Sequence, residues 1–221
     1  FAFDIKENNW LGEGKTVGIN FEVSEESLKG KLSYINPNYD LLGNSIEYAL
    51  QSTTNDKPDQ GYENKLFSVG AGTSFEQFKD IFTTLGVNLS YDDLRTTSNA
   101  SSSLKKQSGD FTDLAVNYGF TYDKRNRAFM PTDGSIFGFN QSLPIYADKP
   151  SVSNTLRYST YHELTDNFVG SGKLLLTTVN GLNDENVRIS NRKSLSTKRL
   201  RGFSRGKVGP VDSNDHIGGN Y

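Results

Sequence analysis

The sequence contains no cysteine, only two histidines and no long apolar run, and each absence excludes a class of protein. Without cysteine there is neither a disulfide framework nor a thiolate metal site. The two histidines, His162 and His216, lack the spacing of metal ligands. No apolar stretch approaches the ~18–20 residues that a membrane-spanning helix requires. The hydrophobic content of 34% is below the ~45–50% of ordinary globular domains, which argues against a large helical core.

The beginning and the end of the sequence suggest that it belongs to something longer. It has no signal peptide and starts with Phe rather than Met, and its last residues, HIGGNY, read as the beginning of an extended segment. We therefore expect it to be a segment of a larger protein.

The sequence is rich in aromatic residues and glycine, and apolar residues alternate with polar ones along much of it. There are 14 Phe, 11 Tyr and 21 Gly. In the longest alternating run, every second residue is mostly apolar and lies on one face of the predicted strand: Ile81, Thr83, Leu85, Val87, Leu89 and Tyr91. Similar runs of ~10 residues recur up to residue 182, and such alternation is typical of strands with two unlike faces. We count about ten strands and no segment with helical periodicity, and we read EQFKD (76–80) as a turn.

The connections alternate between short turns and longer polar loops. The longest polar loops are STTNDKPDQGYEN and TTSNASSSLKKQSGD. Short turns at one end and long loops at the other describe an antiparallel meander, and strands with one apolar face predict a transmembrane β-barrel. A closed barrel is favoured in hydrocarbon because it leaves no backbone group unpaired. Bulky polar residues on the opposing face indicate a wide, wet lumen.

The alternative fold is a soluble β-sandwich or lectin-like barrel whose apolar face packs inward. The even strand lengths argue against it, and so do aromatic residues near the strand ends, where membrane barrels carry interfacial girdles. These residues are Trp10, Tyr34, Tyr39, Tyr91 and Tyr122.

No candidate catalytic or cofactor motif in the sequence is complete. Ser102 and Lys105 have Ser-x-x-Lys spacing but lie in a serine-rich loop without partner motifs. DSNDH (212–216) lacks the glycine and the distal glutamate of a calcium loop, and GAG (70–72) lacks the third glycine of a dinucleotide loop. We predict no enzyme, no cofactor and no metal.

Three motifs carry more information. The first is a glycine-punctuated turn into a strand, with Trp10, Leu11, Gly12 and Gly14. The second is a turn in the middle of the chain, with Asp123, Phe129, Pro131, Thr132, Asp133 and Gly134. The third is the loop sequence Leu200, Arg201, Gly202 and Phe203, followed by Gly209, Pro210, Gly218, Gly219 and Asn220.

In this order the three motifs resemble those of the BamA-type family of outer-membrane β-barrel assembly proteins. Met130 intrudes between Phe129 and Pro131, and Ser194 to Lys198 stand where that family often has a double glycine. The resemblance implies about ten of an expected sixteen antiparallel strands, with strands in 1–182, a sixth extracellular loop in 183–219 and the next strand beginning at 220–221. The POTRA domains and the terminal strands would lie outside this sequence.

The resemblance also implies a function and a location. The protein would fold and insert β-barrel clients without ATP or covalent chemistry, because client strands pair with a free strand edge. Its partners would be unfolded outer-membrane clients, accessory assembly lipoproteins and the lipid bilayer of a Gram-negative outer membrane. A two-partner secretion channel of the same superfamily remains the alternative, and a simple porin would lack the loop motif.

The loop is strongly basic in a chain whose net charge is −2. Residues 187–207 contain eight Lys or Arg and no acidic residue, but only one aromatic residue and no nucleic-acid-binding fold, so we predict no nucleic-acid partner. The resemblance implies that the loop folds into the lumen, where Arg201 docks on acidic residues that lie beyond residue 221. A guanidinium makes bidentate contacts that suit this role. Acidic residues predicted to face the lumen, such as Glu47 and Asp113, are candidate partners for the other basic residues.

Overall fold

The protein forms one large antiparallel sheet. A computed structural model describes residues 1–195, 199–203 and 207–221. Ten strands follow one another along the chain: β1 Ala2–Trp10, β2 Lys15–Val23, β3 Ser27–Asn36, β4 Ser45–Lys57, β5 Tyr62–Phe78, β6 Ile81–Thr96, β7 Gly109–Asp123, β8 Gly134–Ala147, β9 Ser151–Thr165 and β10 Phe168–Gly181. Each pairs with the strand before it, so the order in the sheet is the order in the sequence. The predicted all-β meander of ten strands is confirmed.

The sheet is open in this chain. Its order runs from β1 to β10, so these two strands are its edges. A two-residue hairpin lies apart from it, with β11 at Val211–Asp212 and β12 at Asp215–His216. One helical turn, α1 Ser102–Lys105, and two 3₁₀ turns, Pro58–Gln60 and Ile189–Asn191, complete the regular structure of the described ranges. In those ranges, no helix has both the length and the apolar character needed to cross a membrane.

The two faces of the sheet differ sharply in chemistry. A row of paired residues crosses the first eight strands and is apolar throughout: Ile5, Ile19, Leu32, Leu50, Val69, Leu89, Leu114 and Tyr146. All but Leu114 are 40–58% exposed. The ten-stranded sheet and the small hairpin are the sheets of the described residues, so no second sheet covers this face. An apolar surface of this extent is not left in water, which excludes the soluble sandwich.

The neighbouring row, one residue along each strand, lies on the opposite face and is almost entirely polar: Asp4, Asn20, Lys31, Gln51, Ser68, Ser90, Asp113 and Ala147. Successive side chains of a strand point to opposite faces, so a shift of one position exchanges the two surfaces. We call these the apolar face and the polar face.

The strands in the middle of the sheet are longer than the alternation predicted. β4 to β7 contain 13 to 17 residues. Most of STTNDKPDQGYEN therefore lies in β4 and β5, which are joined by the 3₁₀ turn at Pro58–Gln60 rather than by a long loop. β5 likewise continues to Phe78, through most of the predicted turn 76–80. These segments consist mostly of polar residues, so no two-residue alternation of apolar and polar side chains marks the strand.

The connections divide the molecule into two ends. The turns after β1 and β7 lie at one end of the meander, and the connections after β4, β6 and β10 lie at the other, because successive strands run in opposite directions. Helix α1 and the described parts of the connection after β10 (183–195, 199–203 and 207–219) therefore lie at the same end. The buried apolar residues cluster there, at Tyr62, Leu94, Ala100, Leu104, Phe111 and Ile189, with Ile217 against them.

Candidate functional site

The connection that follows β10 folds back onto the polar face of the sheet. We call residues 187–193 the loop stem and residues 199–203 the loop tip. The stem is buried, since Val187, Arg188 and Ile189 are each 3% exposed. The backbone N–H of Val179 in β10 also donates to the carbonyl of Asn220, 2.7 Å away, so the chain returns to the edge strand after the loop.

Arg188 lies at the centre of the stem contacts. Its Nη2 is 2.6 Å from Oδ2 of Asp113 on β7, and its Nε is 3.4 Å from Oδ2 of Asp92 on β6. The guanidinium carbon lies 4.5 Å from the ring centroid of Phe111. The side chain of Arg188 is 2% exposed and that of Asp92 is 3% exposed. A guanidinium removed from water in this way is stable only when it is paired with charge and hydrogen-bonded.

Asp92 connects the stem to two further strands. Its Oδ2 accepts a hydrogen bond from the Ser190 hydroxyl at 2.8 Å, and its Oδ1 accepts one from Asn64 Nδ2 at 2.6 Å. Asn64 Oδ1 in turn accepts from Asn55 Nδ2 at 2.9 Å. This line of polar side chains runs from β4 through β5 and β6 to the loop, so the stem binds a network that several strands build together.

Apolar packing surrounds the polar contacts. Ile189 belongs to the buried cluster with Leu94, Leu104 and Phe111. The backbone N–H of Ile189 donates to Oε1 of Gln107, 3.0 Å away in the connection after β6. The stem is thus held by the barrel strands on one side and by a neighbouring connection on the other.

The β11–β12 hairpin binds the same neighbouring connection. Asp212 accepts hydrogen bonds from the hydroxyls of Ser101, at 2.8 Å, and Ser103. Asp215 accepts from the backbone N–H of Ser101 at 3.1 Å. Hydrogen bonds from Ser103 and then Ser101 lower the pKa of Asp212 below its ordinary value, because they stabilise the charged carboxylate.

Burial acts on two basic residues at the end of the stem. It lowers the pKa of Arg192 and that of Lys193, because desolvation disfavours the charged form. The backbone of Lys193 pairs with Gly219 through two hydrogen bonds of 2.8 Å. The stem and the final glycines of the loop therefore form one local unit.

The predicted loop motif lies at the tip, away from these contacts. Arg201 and Gly202 are exposed, Phe203 is 57% exposed and Leu200 is half-buried. No ion pair involves Arg201 within the described ranges. The docking of Arg201 thus stays a prediction. Ser196 to Lys198 and Ser204 to Gly206, which flank the motif, lie outside the described residues.

The supporting motif lies between the tip and the edge strand. Gly209 and Pro210 are exposed, and the Pro210 carbonyl accepts from Ile217 N–H at 3.1 Å. Gly218 is buried and Gly219 pairs with Lys193. Residues 220 and 221 lie outside any strand, so the start of a further strand there also stays a prediction.

The two turn motifs lie at the opposite end of the sheet. Trp10 ends β1, and Leu11, Gly12 and Gly14 take positive φ values of 56°, 76° and 67° in the turn that follows. After β7, Asp123 accepts from Nε of Arg125 at 2.9 Å and from its Nη2 at 2.6 Å.

The residues at the start of β8 complete the second turn. Asn126 Nδ2 donates to the Thr132 hydroxyl at 2.8 Å, and its Oδ1 accepts from the N–H groups of Thr132 and Asp133. Gly134 has a φ of 93°, and a Cβ there would lie 2.1 Å from the Lys124 carbonyl oxygen, so only glycine fits. Phe129 is 81% exposed, and Pro131, two residues later, is half-buried. The structure thus separates the predicted motifs into two ends.

The sequence did not single out Arg188, Asn64 or Ser190, and it placed Asp92 only among the bulky polar residues of the face opposite the apolar one. The basic block contains eight similar charges, and nothing in their spacing distinguishes Arg188 from the others. Asp113 was a candidate partner for the basic residues, and it does bind Arg188. Glu47, the second candidate, instead pairs with Lys31 on the neighbouring strand at 3.3 Å. One pattern in the sequence could have indicated the site. Asp92 and Asp113 are acidic residues at polar-face positions of two successive strands, which is where a basic side chain of the loop can bind.

Comparison with known proteins places the fold in a family. Residues 9–221 match the Omp85 superfamily domain. The chain is 25% identical over 220 residues to the mouse sorting and assembly machinery component 50 homolog, and 24% identical over 220 residues to its human counterpart. In both cases 97% of this chain and 46% of the relative are covered.

A solved structure agrees with this assignment. The crystal structure of BamA from Haemophilus ducreyi lacking POTRA domains 1–3 matches with a TM-score of 0.85 and 22% identity, over 99% of this chain and 48% of that one. The chain spans about half the length of the relatives it matches, and its ten strands are part of their barrel fold. This chain belongs to the Omp85 superfamily.

Proposed function

We propose that the protein is a core component of a β-barrel assembly machinery, which folds client barrels and inserts them into an outer membrane. The observation that carries the proposal is an Omp85 domain in which the loop stem, residues 187–193, folds back onto the polar face of the sheet. The relatives it matches are named for sorting and assembly, and the similar solved structure is a BamA, which favours assembly over secretion.

The proposed mechanism uses strand pairing and a membrane surface. An unpaired strand edge presents N–H and C=O groups on which a client strand adds itself by β-augmentation. The apolar face keeps the protein in the bilayer, where every backbone group must be paired, so a client strand at the edge gains both hydrogen bonds and a lipid environment. The step requires neither ATP nor covalent chemistry. The edge that opens to clients is formed by strands outside this chain.

The proposed partners and location follow from the same resemblance. The clients are unfolded outer-membrane β-barrel proteins, and accessory lipoproteins assist their delivery. The membrane is the outer membrane of a Gram-negative bacterium. Arg201 anchors the loop tip on acidic residues of the barrel wall and so stabilises the assembled barrel rather than contacting the client.

Reconstitution tests the function directly. The complete protein is placed in lipid vesicles, a urea-unfolded eight-stranded client is added without nucleotide, and protease-resistant client is followed over time. We expect faster formation of folded, membrane-embedded client than in empty vesicles. Client that crosses into the vesicle interior without inserting would instead identify a secretion channel, and a rate equal to that of empty vesicles would refute both functions.

A further inference from the structure

We propose that Arg188 is the positioning residue of the loop stem and fixes the stem on the polar face of the sheet through Asp92 and Asp113. The loop would then be held at two points: at the stem by residues of this chain, and at the tip by Arg201. The second half of this statement rests on the proposed role of Arg201, whereas the first half stands on the contacts of Arg188 alone.

The geometry of Arg188 requires the docked position. Asp92 and Asp113 lie on adjacent strands, and the guanidinium lies between them. Its Nη2 donates to Asp113 at 2.6 Å, whereas its Nε is 3.4 Å from Asp92 and donates to the Ser190 hydroxyl, which donates in turn to Asp92. The planar guanidinium holds its donors in a fixed fork that suits two neighbouring carboxylates, whereas the compact ammonium of lysine lacks this fixed geometry. A stem displaced from the polar face would lose both ion pairs of Arg188 and the hydrogen bond from Ser190 to Asp92, which together compensate the burial of these charges in the docked position.

The neighbours of Arg188 make its position specific. Val187 and Ile189, on either side of it, are each 3% exposed, and Ser190 donates to the same Asp92 carboxylate. The face of Phe111 lies against the guanidinium and adds a cation–π contact. Charge, hydrogen bonding and apolar burial therefore all favour one placement of the stem.

Other basic residues of the block have different environments. Arg199 and Arg201 are exposed, and Lys207 pairs with Asp59 at 3.4 Å where both side chains are about half exposed. Arg192 donates to the Val187 carbonyl within the stem itself. In the described ranges, Arg188 alone joins a nearly inaccessible cation to acidic residues of the sheet.

A single engineered thiol reports the position of the stem. The sequence has no cysteine, so Val187→Cys introduces one thiol next to Arg188, at a site that is 3% exposed when the stem is docked. The complete protein is placed in lipid vesicles and the rate of labelling by a membrane-impermeant maleimide is measured. The loss of the folded band on heating, followed on a gel, shows whether the barrel itself remains folded.

We expect slow labelling in the parent and labelling about tenfold faster or more in Arg188→Gln, because breaking a buried ion pair frees the stem. Arg188→Lys should also label faster, because the ammonium lacks the fixed fork of donors and the planar face of the guanidinium. Arg95→Gln is the matched control. Arg95 also pairs with two aspartates, at 2.8 and 3.0 Å, but its side chain is 51% exposed, so its loss should leave the labelling rate unchanged.

The opposite results overturn the proposal. Parent-like labelling in a folded Arg188→Gln protein would show that the stem stays docked without the guanidinium. If that variant does not fold, Asp113→Asn removes the partner charge at constant size and should accelerate labelling in the same way. A parent-like rate in Asp113→Asn, or equal acceleration in Arg95→Gln, would equally contradict the proposal. The measurement does not involve client insertion, so it is independent of the proposed activity.

Discussion

The stem and the tip of the loop carry similar positive charge but stand in opposite environments. Arg188 in the stem is 2% exposed and contacts two carboxylates, whereas Arg201 in the tip is exposed and has no ion pair among the described residues. Both arginines belong to the same acid-free block of the sequence. Local charge density along the sequence therefore does not identify the residue that anchors the loop. The positions of acidic residues on the polar face of the sheet identify it.

The stem and the tip also differ in where their partners are encoded. Asp92, Asp113 and Phe111 lie in β6 and β7, so the stem binds strands of this chain. The proposed partners of Arg201 lie in strands that follow residue 221. The stem is therefore expected to form with the strands described here, and the tip to dock only when the barrel is complete.

The largest effect is expected when the carboxylate under the stem is removed. Asp92→Ala leaves Asn64 and Ser190 without an acceptor and Arg188 with one carboxylate, so we expect the free energy of unfolding of the complete protein to fall by about 3–5 kcal/mol. Urea unfolding in lipid vesicles measures this. Asp93→Ala is the control, because Asp93 pairs with the exposed Arg95 and should cost about 1 kcal/mol or less. Equal losses of unfolding free energy in Asp92→Ala and Asp93→Ala would contradict a stabilising role of the stem contacts.

A smaller effect is expected at the tip. In the complete protein, Arg201→Ala should lower the free energy of unfolding by about 1.5–3 kcal/mol, the usual contribution of hydrogen bonds to a charged group. The temperature at which the folded band disappears on a gel measures the loss, and growth of a strain that depends on the protein measures its consequence. Arg201→Lys should also be defective if the contact is bidentate. Unchanged heat resistance and growth in Arg201→Ala would contradict the docking of the tip.

The smallest loss of stability is expected when a glycine of the loop is replaced by alanine, and it should differ between a glycine beside the stem and one in the tip. Gly218 has a φ of 67°, and a Cβ there would lie 2.8 Å from the Lys193 carbonyl oxygen, whereas Gly202 has a φ of 88° and no atom within 4 Å of that position. Alanine should therefore cost about 1 kcal/mol of backbone strain at Gly202 and more than this at Gly218. Thermal unfolding of the two variants measures the order. The reverse order would show that the tip packs more closely than the stem.

Much of the sheet was predictable because each strand position has only two possible directions. The apolar row from Ile5 to Tyr146 and the polar row beside it follow directly from the two-residue period. The extensions of β4 to β7 were not predictable, because residues such as Asn55, Asn64 and Asp92 are polar in segments where the apolar face has also ended. Backbone pairing continued there, but the hydrophobic pattern that would reveal it had stopped.

The amino-acid sequence by itself determined the two-faced meander, the tight turns and the family motifs, because these depend on neighbours along the chain. Only the tertiary structure decided that Arg188, among the basic residues of the described ranges, is the one buried against two aspartates of the sheet. That choice depends on bringing residues 92, 113 and 188 together across more than seventy positions of the sequence. Pairing of β6 with β7 brings the two carboxylates together, and burial makes the site selective, because an arginine removed from water is stable only when it is paired with opposite charge and hydrogen-bonded.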